Sequence, residues 1–304
     1  MTDVSEEPRA RLGGRWGSLA QSPGAGSSPR KPTRTPDPAF SGDDRSRLAQ
    51  AVEIHVVPRL VLAHGTTPLT GNAVAPAPCG LEEAKEFAEF VLTHDVQDAC
   101  KHVEALRRAG RSLEAIYIDV VAPAGRQLHS LWRADLCDFA SCALGLWRLQ
   151  QLLREFSVAF QSEGHRQEHG YRALLVPKPG EKGELCYIMF GLVMVGEFYR
   201  RNGWDTWIEP DPTSTEFATL IRSQWFDVVE FLASNNKNLD ALASSIRMIR
   251  RESSNKALGV MLRGKAFVQN PELVVLVGGD AAAADASIDA LQAQTLVRLL
   301  ADRV

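Results

Sequence analysis

The chain has 304 residues, 45% hydrophobic content and a formal net charge of -3. That length and apolar fraction can fill two globular domains with cores of their own. The charge excludes a strongly basic surface of the kind that binds nucleic acid without regard to sequence. No apolar run reaches the length of a membrane span, and MTDVSEEPRARLGG has no signal-peptide core, so a cytoplasmic protein is expected. Cys79, Cys100, Cys137, Cys142 and Cys186 are scattered without CxxC spacing, which reads as reduced thiols. The seven histidines form no metal motif.

Residues 1–44 are rich in Pro, Gly, Ser and Arg and poor in apolar residues, which reads as a disordered tail. Residues 45–160 carry helical spacing and predict a bundle of four or five helices. Its members are Arg45–Val61, interrupted by Pro58, then Leu81–Leu92 and Asp95–Ala109. Ser112–His129, interrupted at Pro123, and a long Asp135–Phe156 complete it. Trp132 and Trp147 read as packing residues of this bundle. Residues 161–170 (QSEGHRQEHG) form a polar linker, in which His165 and His169 have the spacing of a helical metal pair but read as solvated.

Residues 171–304 alternate short apolar runs with helical segments. Ala173–Val176 is a strand, Pro177–Gly183 a Pro/Gly-rich loop and Tyr187–Arg201 a helix stopped by Gly203. The strands Thr206–Ile208, Phe226–Leu232, Ala257–Leu262 and Ala281–Ala284 follow, separated by helices at Ser214–Gln224, Leu239–Glu252 and Pro271–Val277. Ala286–Leu300 closes the chain as a helix. Five strands alternating with helices predict a flavodoxin-like, doubly wound parallel sheet, with any ligand at the C-terminal edge of the strands. The α/β class with an N-terminal helical bundle is therefore the expected fold. Arg247, Arg250, Arg251 and Arg263 read as one basic surface, suited to an acidic partner or simply solvated. No separate helix-turn-helix signal appears, so direct DNA binding is not expected.

Several separated blocks add a resemblance. They are IYIDVVAPAGRQL with LW and DLCDF, GLWRLQ with LLREF, RALLVP with PGE, EFYRRNGWDTW, WFDVV, LDALASSIR with IRR, and PELV. Over roughly Arg45–Arg303 the chain resembles cobalamin-binding-domain antirepressors of purple bacteria of the AerR/PpaA (SCHIC-like) kind. The resemblance implies a sensor that relieves a CrtJ/PpsR-like transcriptional repressor of photosynthesis and tetrapyrrole genes. It implies a corrinoid held between the sheet domain and the bundle, with a histidine of the first βα loop on cobalt.

Family members read PGEQH in that loop. This chain reads Pro179-Gly180-Glu181-Lys182-Gly183 and then Glu184-Leu185-Cys186-Tyr187-Ile188. Gly183 stands in the histidine position counted from PGE, and Ile188 counted back from the helix, so no imidazole is supplied. A Gly-Gly pair after the fourth strand is replaced by Arg263-Gly264, and Ser234 falls where relatives contact the cofactor's tail. Trp132 matches a Trp that covers the upper face in related light sensors, but Cys142-Ala143 stands where they carry Glu-His.

Three readings stay open. The chain is a regulator without tight cofactor binding, or it binds a corrinoid base-on or through another ligand, or it binds heme or another tetrapyrrole through Cys186, His129 or His165. The competing class is a corrinoid-carrying methyltransferase subunit. It is disfavoured by the lost loop histidine, and with no nucleophile–base pair or phosphate loop in the sequence, no enzyme activity is expected.

Overall fold

The computed structural model describes residues 79–164 and 169–301. By internal contacts the chain divides into Met1–Arg47 and Leu48–Val304, and all described residues belong to the second unit. The expected tail and the expected helix Arg45–Val61 lie outside the described residues.

The bundle opens with α1 (Cys79–Thr93) and α2 (Val96–Arg108). Asp95 starts α2 by accepting the Asp98 N–H at 2.9 Å, and Arg107 and Arg108 close it, in keeping with the helix dipole. α3 (Leu113–Ile116) is capped by Ser112 and runs through a π-helical turn (Tyr117–Val121) into α4 (Ala122–Arg133). The break expected at Pro123 does not occur. The Ala122 N–H bonds to the Tyr117 carbonyl, five residues back, so the ladder has already shifted where proline would otherwise clash with it. α5 (Phe139–Glu155) starts at its Asp138 cap and not at the expected Asp135, which takes a left-handed φ of 56° in the preceding turn. α6 (Ser157–Ser162) follows, so the expected linker begins inside a helix.

The second half reads β1 (Arg172–Pro177), a 3-10 turn (Lys182–Glu184), α7 (Leu185–Arg201), β2 (Asp205–Ile208) and α8 (Thr215–Ser223). Then come β3 (Val228–Leu232), α9 (Leu239–Glu252), β4 (Gly259–Arg263), α10 (Lys265–Gln269), α11 (Glu272–Val277), β5 (Ala281–Ala283) and α12 (Ala286–Ala301). α10 was not expected; the other elements match the sequence expectation to within a few residues. The five strands are parallel in the order β2-β1-β3-β4-β5, the expected doubly wound topology.

α7 is apolar on both sides because it serves two cores. Phe190, Val193, Met194 and Phe198 join the bundle core with Tyr117 and Phe160. Ile188, Leu192, Val195 and Tyr199 face the sheet with Leu175 and Met261. A helix clad all round in apolar side chains is stable in water only when covered on both faces. α7 thus fixes the bundle to one face of the sheet, while α8, α9 and α11 cover the other. Among the described residues no helix is long and apolar enough to cross a membrane.

Candidate functional site

β1 and β3 are neighbours whose connections leave toward opposite faces, to α7 and to α9. Open α/β sheets take ligands in the crevice this creates beyond the strand ends. Here the crevice is filled by the protein. The Lys178 N–H extends the ladder to the Leu232 carbonyl at 2.8 Å, and its side chain turns inward. Lys178 Nζ lies 3.0 Å from Glu181 Oε1 and donates to the Lys237 carbonyl at 2.8 Å. The Ser234 N–H donates to both Glu181 oxygens, at 3.1 and 3.0 Å. The Lys178 and Glu181 side chains are 0% and 2% exposed. Charges buried to that degree persist only when paired and hydrogen-bonded, and both conditions are met.

Gly180 makes the closure possible. Its φ is +89°, and a Cβ there would lie 2.9 Å from Asn238 Nδ2, at the head of α9. The structure therefore brings together the expected site residues Gly180, Glu181 and Ser234, but their contacts are with one another and with protein groups that include Lys178, Asn235 and Asn238.

A second buried cluster sits directly beneath. Glu230, in mid-β3, accepts from the Tyr199 hydroxyl at 2.8 Å and from Arg263 Nε at 2.7 Å. Arg263 also pairs with Asp289 of α12. Burial pushes the Tyr199 phenol well above its ordinary value, and the Glu230 charge pushes it the same way. The expected surface group of four arginines is corrected by this arrangement. Arg263 lies inside, and Arg250 is committed to Asp280 at 2.7 Å and to the Gly278 carbonyl at 2.9 Å. Gly264, with φ +147°, would place a Cβ 2.5 Å from the Ala233 carbonyl oxygen. The close approach expected for a cofactor's tail is made by the chain's own backbone.

The remaining candidates meet on the bundle side. His129 and Trp132 of α4, Cys142 of α5, and Gly183, Cys186 and Tyr187 line one apolar cavity of about 10 Å³. That is space for about one water. The His129 ring stacks on Tyr187 with centroids 4.3 Å apart. Its Nε2 is buried without a hydrogen-bond partner among the described residues, 3.9 Å from Glu184 Oε2. Burial lowers the His129 pKa, with Glu184 opposing, so the neutral imidazole is favoured. Burial pushes the Cys142 thiol up to about 11, which keeps it protonated and unreactive. Trp132 packs edge-on against Phe139 as expected. Trp147 departs from expectation: it is half exposed on the outer face of α5.

His169 is not solvated as expected. Its Nε2 meets the Asn202 carbonyl at 3.0 Å, and its ring packs on Tyr171 and Trp204. His165 lies outside the described residues. Among the described residues no three His, Cys, Asp or Glu side chains are placed to hold a metal ion, and Cys100, Cys137, Cys142 and Cys186 are free thiols.

These residues do not fit a corrinoid held from below. The loop from Lys178 to Glu184 carries no imidazole, its buried polar groups are satisfied internally, and the cavity above it has no room for a macrocycle. Sequence reading missed Lys178, Tyr199, Glu230 and Asp289. One signal was available: Glu230 interrupts an otherwise apolar strand, and a charge in a central strand requires a partner.

No family model matches the chain. An uncharacterized 20.5 kDa protein in the bchF-crtJ intergenic region of Rhodobacter capsulatus is 22% identical over 185 residues, covering 61% of this chain and 93% of that protein. The monomethylamine corrinoid protein of Methanosarcina barkeri superposes with a TM-score of 0.53 at 11% identity, covering 72% of this chain and 98% of that one. The five-stranded parallel sheet with its helices is thus a fold that this chain shares with a corrinoid protein.

Proposed function

We propose that the chain is a regulatory protein that relieves a CrtJ/PpsR-like transcriptional repressor by direct contact, using a corrinoid-protein fold that has given up its cobalt ligand. The observation that carries this reading is the loop from Lys178 to Glu184, whose buried charges are satisfied by protein groups where a cofactor-bearing relative would present an imidazole. Support comes from the sequence blocks in which the chain resembles antirepressors and from the name of the Rhodobacter relative, which places that protein in the bchF-crtJ intergenic region. A methyl carrier needs its corrinoid, so the same loop counts against a methyltransferase subunit and in favour of a protein that turns over no substrate.

The test is a gel-shift titration of a CrtJ/PpsR-type repressor on its operator with the purified, colourless chain. Release of the DNA without added cobalamin is the expected result. A repressor–operator complex that persists at every protein concentration, with and without cobalamin, sinks the reading.

A further inference from the structure

We propose that Lys178 and Glu181 form a built-in plug that replaces a bound cofactor, closing the crevice between β1 and β3 and coupling the sheet edge to the bundle. Five contacts run in sequence. Lys237 and Ser234, in the β3–α9 connection, hold Lys178 and Glu181 at 2.8 to 3.1 Å. Three residues beyond Glu181, Glu184 leaves the same loop and accepts from Arg133 Nη1 of α4 at 3.0 Å. Glu184 also lies beside His129, and the next helical turn supplies the Tyr187 ring on which His129 stacks. The plug thus sets where the loop ends, and the loop end grips the bundle.

The consequence for ligands is specific. A group entering at the switch point must displace a lysine and a carboxylate that are both almost fully buried, and must leave two charges unsatisfied or carry their partners with it. An ion pair broken in the interior leaves uncompensated charge, which is strongly unfavourable. The crevice therefore excludes the nucleotide tail of a complete cobalamin. The plug draws on the same closed loop as the regulatory reading, but it stands or falls without reference to any repressor.

The experiment is amide hydrogen exchange on the full chain, with and without hydroxocobalamin, for the native protein and for Glu181→Gln and Glu181→Ala. In the native protein the Ser234 amide is expected to be protected equally with and without hydroxocobalamin. Hydroxocobalamin is also expected to wash away on desalting. Glu181→Ala is expected to raise exchange at Ser234 at least tenfold and to raise it also in the last turn of α4. Glu181→Gln keeps an acceptor for the Ser234 N–H and guards against simple misfolding, so its increase is expected to be smaller. Exchange at Ser234 that is unchanged in Glu181→Ala overturns the plug. So does stoichiometric retention of hydroxocobalamin by the native chain. Loss of the plug with operator release intact leaves the regulator standing; failure of operator release with the exchange pattern intact leaves the plug standing.

Discussion

Arg263 Nε lies 2.7 Å from Glu230 Oε1, joining the last residue of β4 to the middle of β3 inside the sheet's α7-side core. Glu230 is 1% exposed and Asp289, the second partner of Arg263, is 0% exposed. One guanidinium is therefore shared by two carboxyl groups with almost no water nearby. Removing the cation strands both. Arg263→Met is expected to cost about 3–5 kcal/mol in urea denaturation. Arg263→Met combined with Glu230→Gln and Asp289→Asn is expected to lose markedly less, because no net charge then remains buried. Equal losses in the single and triple variants would show that packing of the long side chain, and not charge, sets the cost.

Much of the fold was legible because the strands are short apolar runs between Gly- and Pro-rich turns, and α7 is apolar on all sides. The parts that were not legible depend on contacts between distant residues. Glu230 announces a need for a partner, but Arg263 and Asp289 are brought to it only by the parallel register of β3 with β4 and by α12. Lys178 and Glu181 are three residues apart, yet only the β3–α9 connection buries them. Pro123 reads as a helix breaker because nothing in the spacing marks the π turn that accommodates it. The absence of an imidazole from the first βα loop was readable directly; what fills its place was not.

Two glycines expected at the site should behave in opposite ways. Gly264 combines a φ of +147° with a Cβ position 2.5 Å from backbone oxygen, an atom that cannot swing aside. Gly264→Ala is expected to destabilise by at least about 1–3 kcal/mol, the scale of backbone strain alone. Gly183 has no atom within 4 Å of its Cβ position. Gly183→Ala is expected to stay within about 0.5 kcal/mol of the native protein. Thermal melts of the two variants check both, and a neutral Gly264→Ala would mean that the β4–α10 turn is free to shift.

Gly125 of α4 faces the ring of Phe190 on α7, and a Cβ there would press into that ring. Here α4 of the bundle packs against the helix that the bundle shares with the sheet. Gly125→Ala is expected to cost about 1–3 kcal/mol through overpacking. Adding Phe190→Leu to it should recover part of the loss, since the two sites touch and their effects are coupled. Strictly additive losses in a double-mutant cycle would refute the contact.

His129 gives the fold a sensitivity to acid whose direction follows from its surroundings. Burial holds its pKa below the ordinary 6.5 and Arg133 acts the same way, while Glu184 pulls in the opposite direction and loses. Well above 6.5 the imidazole is neutral in folded and unfolded chains alike, so it contributes nothing to pH dependence there. As pH falls through the ordinary value the unfolded chain takes up a proton that the folded chain resists, and stability drops until pH passes the lower folded value. His169 is lowered in the same sense, first by burial, and adds to the trend. His129→Phe keeps a flat ring over Tyr187 and removes the titration. The native urea midpoint is therefore expected to fall further between about pH 7.5 and about pH 5.5 than that of His129→Phe. Identical slopes for the two proteins would mean that the imidazole takes up its proton as readily folded as unfolded, and that the cavity between α4 and α7 is wet.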